Sequence, residues 1–126
     1  MVHNGIEYGI MQAIGEGFEI LQKADYRLDL TKVAEIYNHG SVIESRLVGW
    51  LAQAFLLHGE DLAAVTSTVK HTGEGAWTVA TAKKLKVMAK IIEEALEFRK
   101  QSAQNPSFTG KVLSALREQF GGHAIK

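Results

Sequence analysis

Apolar residues along this chain recur at intervals of three and four and nowhere alternate for long. That is the period of helices that each turn one face inward. β-branched residues are scattered and the single proline stands at 106, so the chain reads as all helical. Ile6, Ile10, Ile14, Phe18 and Leu21 form an apolar stripe that predicts a first helix over about 2–24. "DYRLD" interrupts it, and Asp29 is placed to cap a second helix over "LTKVAEIYN", which Gly40 ends. "SVIE" at 41–44 has the form of a capping box, with Ser41 as cap and Glu44 three residues on. The third helix it opens carries Val42, Ile43, Leu47, Leu51, Ala54 and Phe55, reaches His58 and closes at Gly59.

"EDLAAVTSTVK" predicts a short fourth helix, and "HTGEG" at 71–75 reads as a turn. Residues 76–101 keep helical periodicity throughout, as one long helix or as two with a bend. "NPS" at 105–107 is a break, "FTGKVLSALREQF" a last helix, and "GGHAIK" a glycine-hinged tail. The expectation is one all-α domain over 1–126, about six helices around a long N-terminal helix.

Composition narrows the function. Fourteen basic and fourteen acidic residues cancel, so no broad basic field exists to hold nucleic acid, and any anion site must be local. There is no cysteine, which excludes disulfides, thiolate metal sites and cysteine nucleophiles. The N-terminus has no secretory pattern, and apolar runs such as "AFLL" are far too short to span a bilayer. A cytoplasmic protein without membrane contact is the expectation.

Candidate chemistry sits first in "MVHNGIEYG". His3 and Glu7 are four apart on a helix, as are Asn4 and Tyr8 one step round. An imidazole, an amide, a carboxylate and a phenol on one arc can grip a polyhydroxy substrate, and a Glu there can donate or accept a proton. The same spacing also occurs on ordinary solvated helix faces. HExxH is absent, so no metal site is read here. Gly5, Gly9, Gly15 and Gly17 each cost about 1 kcal/mol of helix propensity relative to Ala, which suggests that another backbone or a ligand approaches closely. "HTGEGAWT" is not a P-loop; its plain reading is a helix-joining turn with Trp77 as a core anchor. Arg99, late in a helix, reads by itself as a solvated charge favoured by the helix dipole. Arg117, the anchor Phe120 and the hinge Gly121–Gly122 before His123 suit phosphate oxygens, the alternative being a frayed terminus.

Taken together, "MVHNGIEYG", "GEGAWT", "EALEFR" and "LREQFGGH", in that order along the whole chain, resemble the all-helical C-terminal domain of decarboxylating 6-phosphogluconate dehydrogenases of the short-chain type. The resemblance implies oxidation of C3 of 6-phosphogluconate by NAD or NADP, loss of CO2 and formation of ribulose 5-phosphate in the pentose phosphate pathway, without a metal. It makes Glu7 the general acid that protonates the enediol, puts His3 and Asn4 on the sugar acid, and puts Tyr8 and Arg99 on the phosphate. It brings Arg117 and His123 to the phosphate from the partner subunit of a homodimer.

The departures from the family pattern shape the expectation equally. The family's base, a Lys before the Met of "MVHNG", and its dinucleotide-binding domain lie outside these residues. The chain alone is therefore expected to bind no cofactor and to show no dehydrogenase activity. "HTGEGA" carries Glu74 in place of a basic residue, and "LKVMAKII" lacks the usual Gly and Pro. Two other readings stand beside this one: a non-catalytic helical module for dimerisation or anion binding, and a related β-hydroxyacid dehydrogenase, which would need no phosphate clamp.

Overall fold

The first helix, α1 (Val2–Lys23), buries its glycines rather than its isoleucines. The computed structural model describes residues 1–126 and contains six helices and no strand. α4 (Glu74–Lys84), α5 (Lys90–Gln101) and α6 (Phe108–Gly121) all pack along α1, while α2 (Leu30–Tyr37) and α3 (Arg46–His58) pair as a hairpin laid against α6. The close approach on α1 is physical. A Cβ on Gly5 would stand 2.6 Å from Thr78 Cγ2 of α4, and one on Gly15 would stand 3.0 Å from Thr109 Cγ2 of α6. Ile6 and Ile10, expected in the apolar stripe, are instead 52% and 46% exposed, because the inward face of these turns is Gly5, Tyr8, Gly9 and Gln12. Phe18 does enter the core, and Ile14 and Leu21 pack at its edge.

The main core joins Met11 and Phe18 of α1 to Leu51 and Phe55 of α3 and to Val112, Leu113 and Leu116 of α6. A second, small cluster of Tyr8, Val79, Ala95 and Leu96 fills the seam between α1, α4 and α5. Tyr8 and Arg99, two of the candidate residues, meet at this seam.

Three expectations about the elements need correction. α3 begins at Arg46, not near Ser41. Ser45 is its cap, accepting from the Val48 amide at 3.2 Å. Ser41 donates instead to the Tyr37 carbonyl, and Glu44 accepts from the Gly40 amide, so the Ser–Glu pair closes the preceding turn and leaves Val42 and Ile43 exposed. Residues 60–70 form no helix. Their backbone groups are taken by other partners: the Val69 amide donates to Ser102 Oγ at 2.8 Å, the Thr66 amide to the Ile125 carbonyl at 2.6 Å, and Ser114 Oγ donates to the Thr68 carbonyl. Leu62, Val65 and Val69 are buried as isolated anchors, so tertiary contact overrides a modest helical pattern with several β-branched residues.

Residues 76–101 are two helices, and the first of them starts earlier, at Glu74. α4 ends in a Schellman motif, with Val87 N–H donating to the Ala82 carbonyl and Lys86 N–H to the Lys83 carbonyl. Lys86 occupies the left-handed position of that motif with φ 58°. Trp77, read as a core anchor, is 62% exposed.

The start of α6 is tied to α1 as well. Ser107 caps it through the Gly110 amide at 3.0 Å, and Glu19 of α1 accepts from Thr109 N at 2.9 Å and Thr109 Oγ1 at 2.5 Å. The hydrogen bond from Lys23, then those from Thr109, hold the Glu19 carboxyl down at about 2 against a smaller opposing effect of burial.

Two outcomes follow from these contacts. Lys86→Gly should stabilise the fold by about 0.5–1 kcal/mol in denaturant titration, because glycine takes a left-handed backbone without the Cβ penalty. Glu19→Gln should destabilise it by about 1–2 kcal/mol, the scale of hydrogen bonds to a charged group. Because folding lowers the Glu19 pKa, its contribution is complete above the ordinary Glu range near 4.5 and is lost as pH falls toward 2. The stability gap between wild type and Glu19→Gln should therefore narrow over that window.

Candidate anion pocket

α1 carries Tyr8 into the seam, and its ring packs among Val79, Ala95 and Leu96. α5 lays Arg99 over it, with Cζ 3.5 Å from the ring centroid, a cation–π contact. α6 brings Arg117 alongside, near enough that its guanidinium raises the cost of charging Arg99. The two arginines are 4% and 6% exposed, and neither has a carboxylate within ion-pairing distance, although four lysines and His58 do. Arg99 Nη2 instead meets Met11 Sδ at 3.7 Å, and its Nε is buried without a partner, as is the Tyr8 hydroxyl.

The electrostatics follow from that burial. Loss of hydration pushes the Arg99 pKa down to about 10. Tyr8 and Glu7 act in the opposite direction, and Arg117 adds to the depression. Arg117 is likewise lowered by burial, with Tyr8 and Glu7 again offsetting part of it. Buried charges are normally paired, since an unpaired one forfeits hydration without recovering Coulomb energy. Two adjacent buried guanidiniums, one of them with an unpartnered Nε, have the chemistry to take a multiply charged anion, since forked donors of this kind match phosphate oxygens.

The sequence-derived residues are distributed around this pair. Glu7 is half-buried beside it. Asn4 is half-buried one turn back on α1, and His3 is exposed. His3 and Glu7 share a hollow of about 280 Å³ with Ile6, Ile10, Trp50 and Phe120, whose ring lies 5.4 Å from that of Trp50. Arg117 already lies with Tyr8 and Arg99 inside one chain, whereas the resemblance would bring it from a partner. His123 stays apart: the left-handed Gly122 ends α6 and the imidazole folds back over Gly121. Arg99 is no solvated surface charge; α5 turns it into the core, which its local spacing did not reveal.

Sequence reading passed over three neighbours. Gly75 faces the Tyr8 ring. Met11 touches Arg99. Ser102, almost wholly buried, donates to the Arg99 carbonyl at 2.7 Å and accepts from Val69 N, which fixes the end of α5. Met11 stands three residues after Tyr8 and Ser102 three after Arg99, so one helical turn links each pair; nothing local marks Gly75. No three His, Asp or Glu side chains converge as metal ligands would, and no helix is long and apolar enough to cross a membrane.

Residues 1–120 match the family model described as 6-phosphogluconate dehydrogenase, C-terminal domain. A Bacillus subtilis (strain 168) relative named "Putative 6-phosphogluconate dehydrogenase YqeC" is 48% identical over all of this chain, which spans 42% of that protein. A Haloferax volcanii relative named "6-phosphogluconate dehydrogenase, NAD(+)-dependent, decarboxylating" is 41% identical over 99% of the chain and 42% of its own length. A Buchnera aphidicola relative named "6-phosphogluconate dehydrogenase, decarboxylating" is 34% identical over 95% of the chain and 27% of its own length. The chain thus spans less than half the length of the curated relatives it matches.

An unmatched pair of buried cations predicts a distinctive stability pattern. Replacing Arg99 by the apolar, similarly long Met should leave the anion-free protein at least as stable in thermal melts. It should also remove the stabilisation by inorganic phosphate expected of wild type, which would reach about 2.7 kcal/mol at a hundredfold excess over Kd.

Proposed function

The chain belongs to the 6-phosphogluconate dehydrogenase C-terminal domain family, and from that premise we propose that it is the substrate-binding and dimerisation part of an NAD- or NADP-dependent decarboxylating 6-phosphogluconate dehydrogenase. The observation that carries this reading is the pair of buried arginines without carboxylate partners, Arg99 set over the Tyr8 ring and both near Glu7. Arg99, Arg117 and the Tyr8 hydroxyl would take the phosphate. With the phosphate fixed there, the sugar-acid end of the substrate extends along α1 toward Glu7, Asn4 and His3. Asn4 and His3 would hold its hydroxyl and carboxylate oxygens. Glu7 would give a proton to the carbon that has lost CO2, so that the enediol becomes the ketose, ribulose 5-phosphate.

A dinucleotide is ordinarily held on a glycine-rich turn between a strand and a helix. These residues contain no strand.

The homodimer is part of the same proposal. Exposed apolar side chains line a groove of about 580 Å³, formed by Ile10, Ile14 and Ile20 of α1 and by Val42 and Ile43 of the loop before α3. Apolar surface of this kind on a small domain suits a second copy. His123, which does not reach its own pocket, would be supplied to the partner's.

Calorimetric titration tests the reading. 6-Phosphogluconate should bind, and gluconate, which lacks the phosphate, should not. Arg117→Ala should weaken 6-phosphogluconate at least ~30-fold, about 2 kcal/mol, as expected for one or two charge-assisted hydrogen bonds. Equal affinity for both ligands would refute the phosphate assignment. In sedimentation equilibrium the wild type should be a dimer and Ile43→Glu should shift it toward monomer.

A further inference from the structure

Gly75 stands in the first turn of α4, where the propensity scale favours almost any residue over glycine. Its backbone is regular helix, so no left-handed conformation requires it. What requires it is the Tyr8 ring. A Cβ at position 75 would lie 2.7 Å from both Cδ2 and Cζ of that ring and nearer still to Cε2. Separations under about 3 Å are not tolerated, and a ring packed on every side cannot give way as the end of a flexible chain does. Val79, Ala95 and Leu96 pack around it, and the Arg99 guanidinium lies 3.5 Å from the ring centroid. Ring and guanidinium are both almost wholly buried, so displacing one displaces the other.

We propose that Gly75 is a positioning residue of the anion pocket: by having no side chain it leaves the slot that holds Tyr8 beneath Arg99. This rests on the phosphate reading above. Gly75 contributes no group to the ligand; it acts through Tyr8. Its removal should change the pocket while the α4 helix itself gains in propensity, so affinity and helix stability should move in opposite directions.

The test combines a ligand-independent readout with a binding one. In the full chain with labelled tyrosine, Gly75→Ala should shift the Tyr8 ring resonances, identified by their loss in Tyr8→Phe, and leave those of Tyr26 and Tyr37 in place. The same variant should weaken 6-phosphogluconate roughly tenfold or more by titration. The loss should persist in a Tyr8→Phe background, where the ring remains. It should vanish in a Tyr8→Ala background, where nothing is left to strike. Unmoved Tyr8 resonances, or an equal loss of affinity in the Tyr8→Ala background, would overturn the proposal. Should Tyr8→Ala fail to fold, the ring resonances and the Tyr8→Phe background decide. If wild type binds no 6-phosphogluconate while Gly75→Ala still moves the Tyr8 signals, the phosphate reading fails and the positioning of the ring by Gly75 stands.

Discussion

α1 can pack against three helices at once because its inward face is nearly bare. Gly5 admits Thr78 of α4, Gly9 admits Ile91 of α5, and Gly15 admits Thr109 and Leu113 of α6. Three glycines in one helix cost about 1 kcal/mol each in propensity, and the return is backbone-close contact along most of its length. The same closeness leaves little room for a large side chain. Tyr8 is the large side chain that enters the seam with α4 and α5, and there α4 offers another glycine across from its ring. The place where Tyr8 meets Arg99 is thus a consequence of how the helices pack, and the ring is set by rigid elements rather than by a loop.

Electrostatics divides the molecule in a way the net charge conceals. Over the whole chain positive and negative groups cancel. Glu19 finds Thr109 and Lys23, His58 finds Glu118 at 2.6 Å, and Lys83 finds Glu93 at 2.9 Å. Arg99 and Arg117 are more deeply buried than any of these and make no ion pair. Desolvation makes them costly in the free protein, and the same low dielectric makes them strong toward an anion that enters. Ser102 and Val69 fix the backbone beneath Arg99, so part of the ordering that binding demands is complete before a ligand arrives.

The elements legible in the sequence were those with local chemistry at their ends. Asp29 caps α2 by accepting from Lys32 N, and Ser107 caps α6 from Gly110 N, as side chains of their type should. Where a terminus is set by backbone alone or by distant partners, or where two serines four apart compete for the cap as Ser41 and Ser45 do before α3, the reading failed. The Schellman end of α4 uses Lys86 where glycine would have announced it. The stretch 60–70 is held open by Ser102, Ser114 and Ile125, all more than thirty residues away. The inward face of α1 was misassigned because periodicity counts apolar side chains, and here the buried face is made by leaving side chains out. For the site, local spacing made Arg99 a surface charge. Only the family resemblance set it with Tyr8, and the burial of both is what the structure adds.

The two faces of α1 meet at Glu7. Inward lies the cationic seam; outward lie Ile6 and Ile10, which with Trp50 and Phe120 border the hollow that Glu7 and His3 share. On the proposed function this placement links assembly to chemistry. A second copy laid over the outward apolar face would exclude water from the side of Glu7 that the single chain leaves open. With that water gone, the carboxyl group interacts more strongly with the two guanidinium groups and with the charge a substrate brings. Burial of apolar surface and proton delivery would then draw on one helix from opposite sides, and the isoleucines absent from the core are what make the outer side able to close.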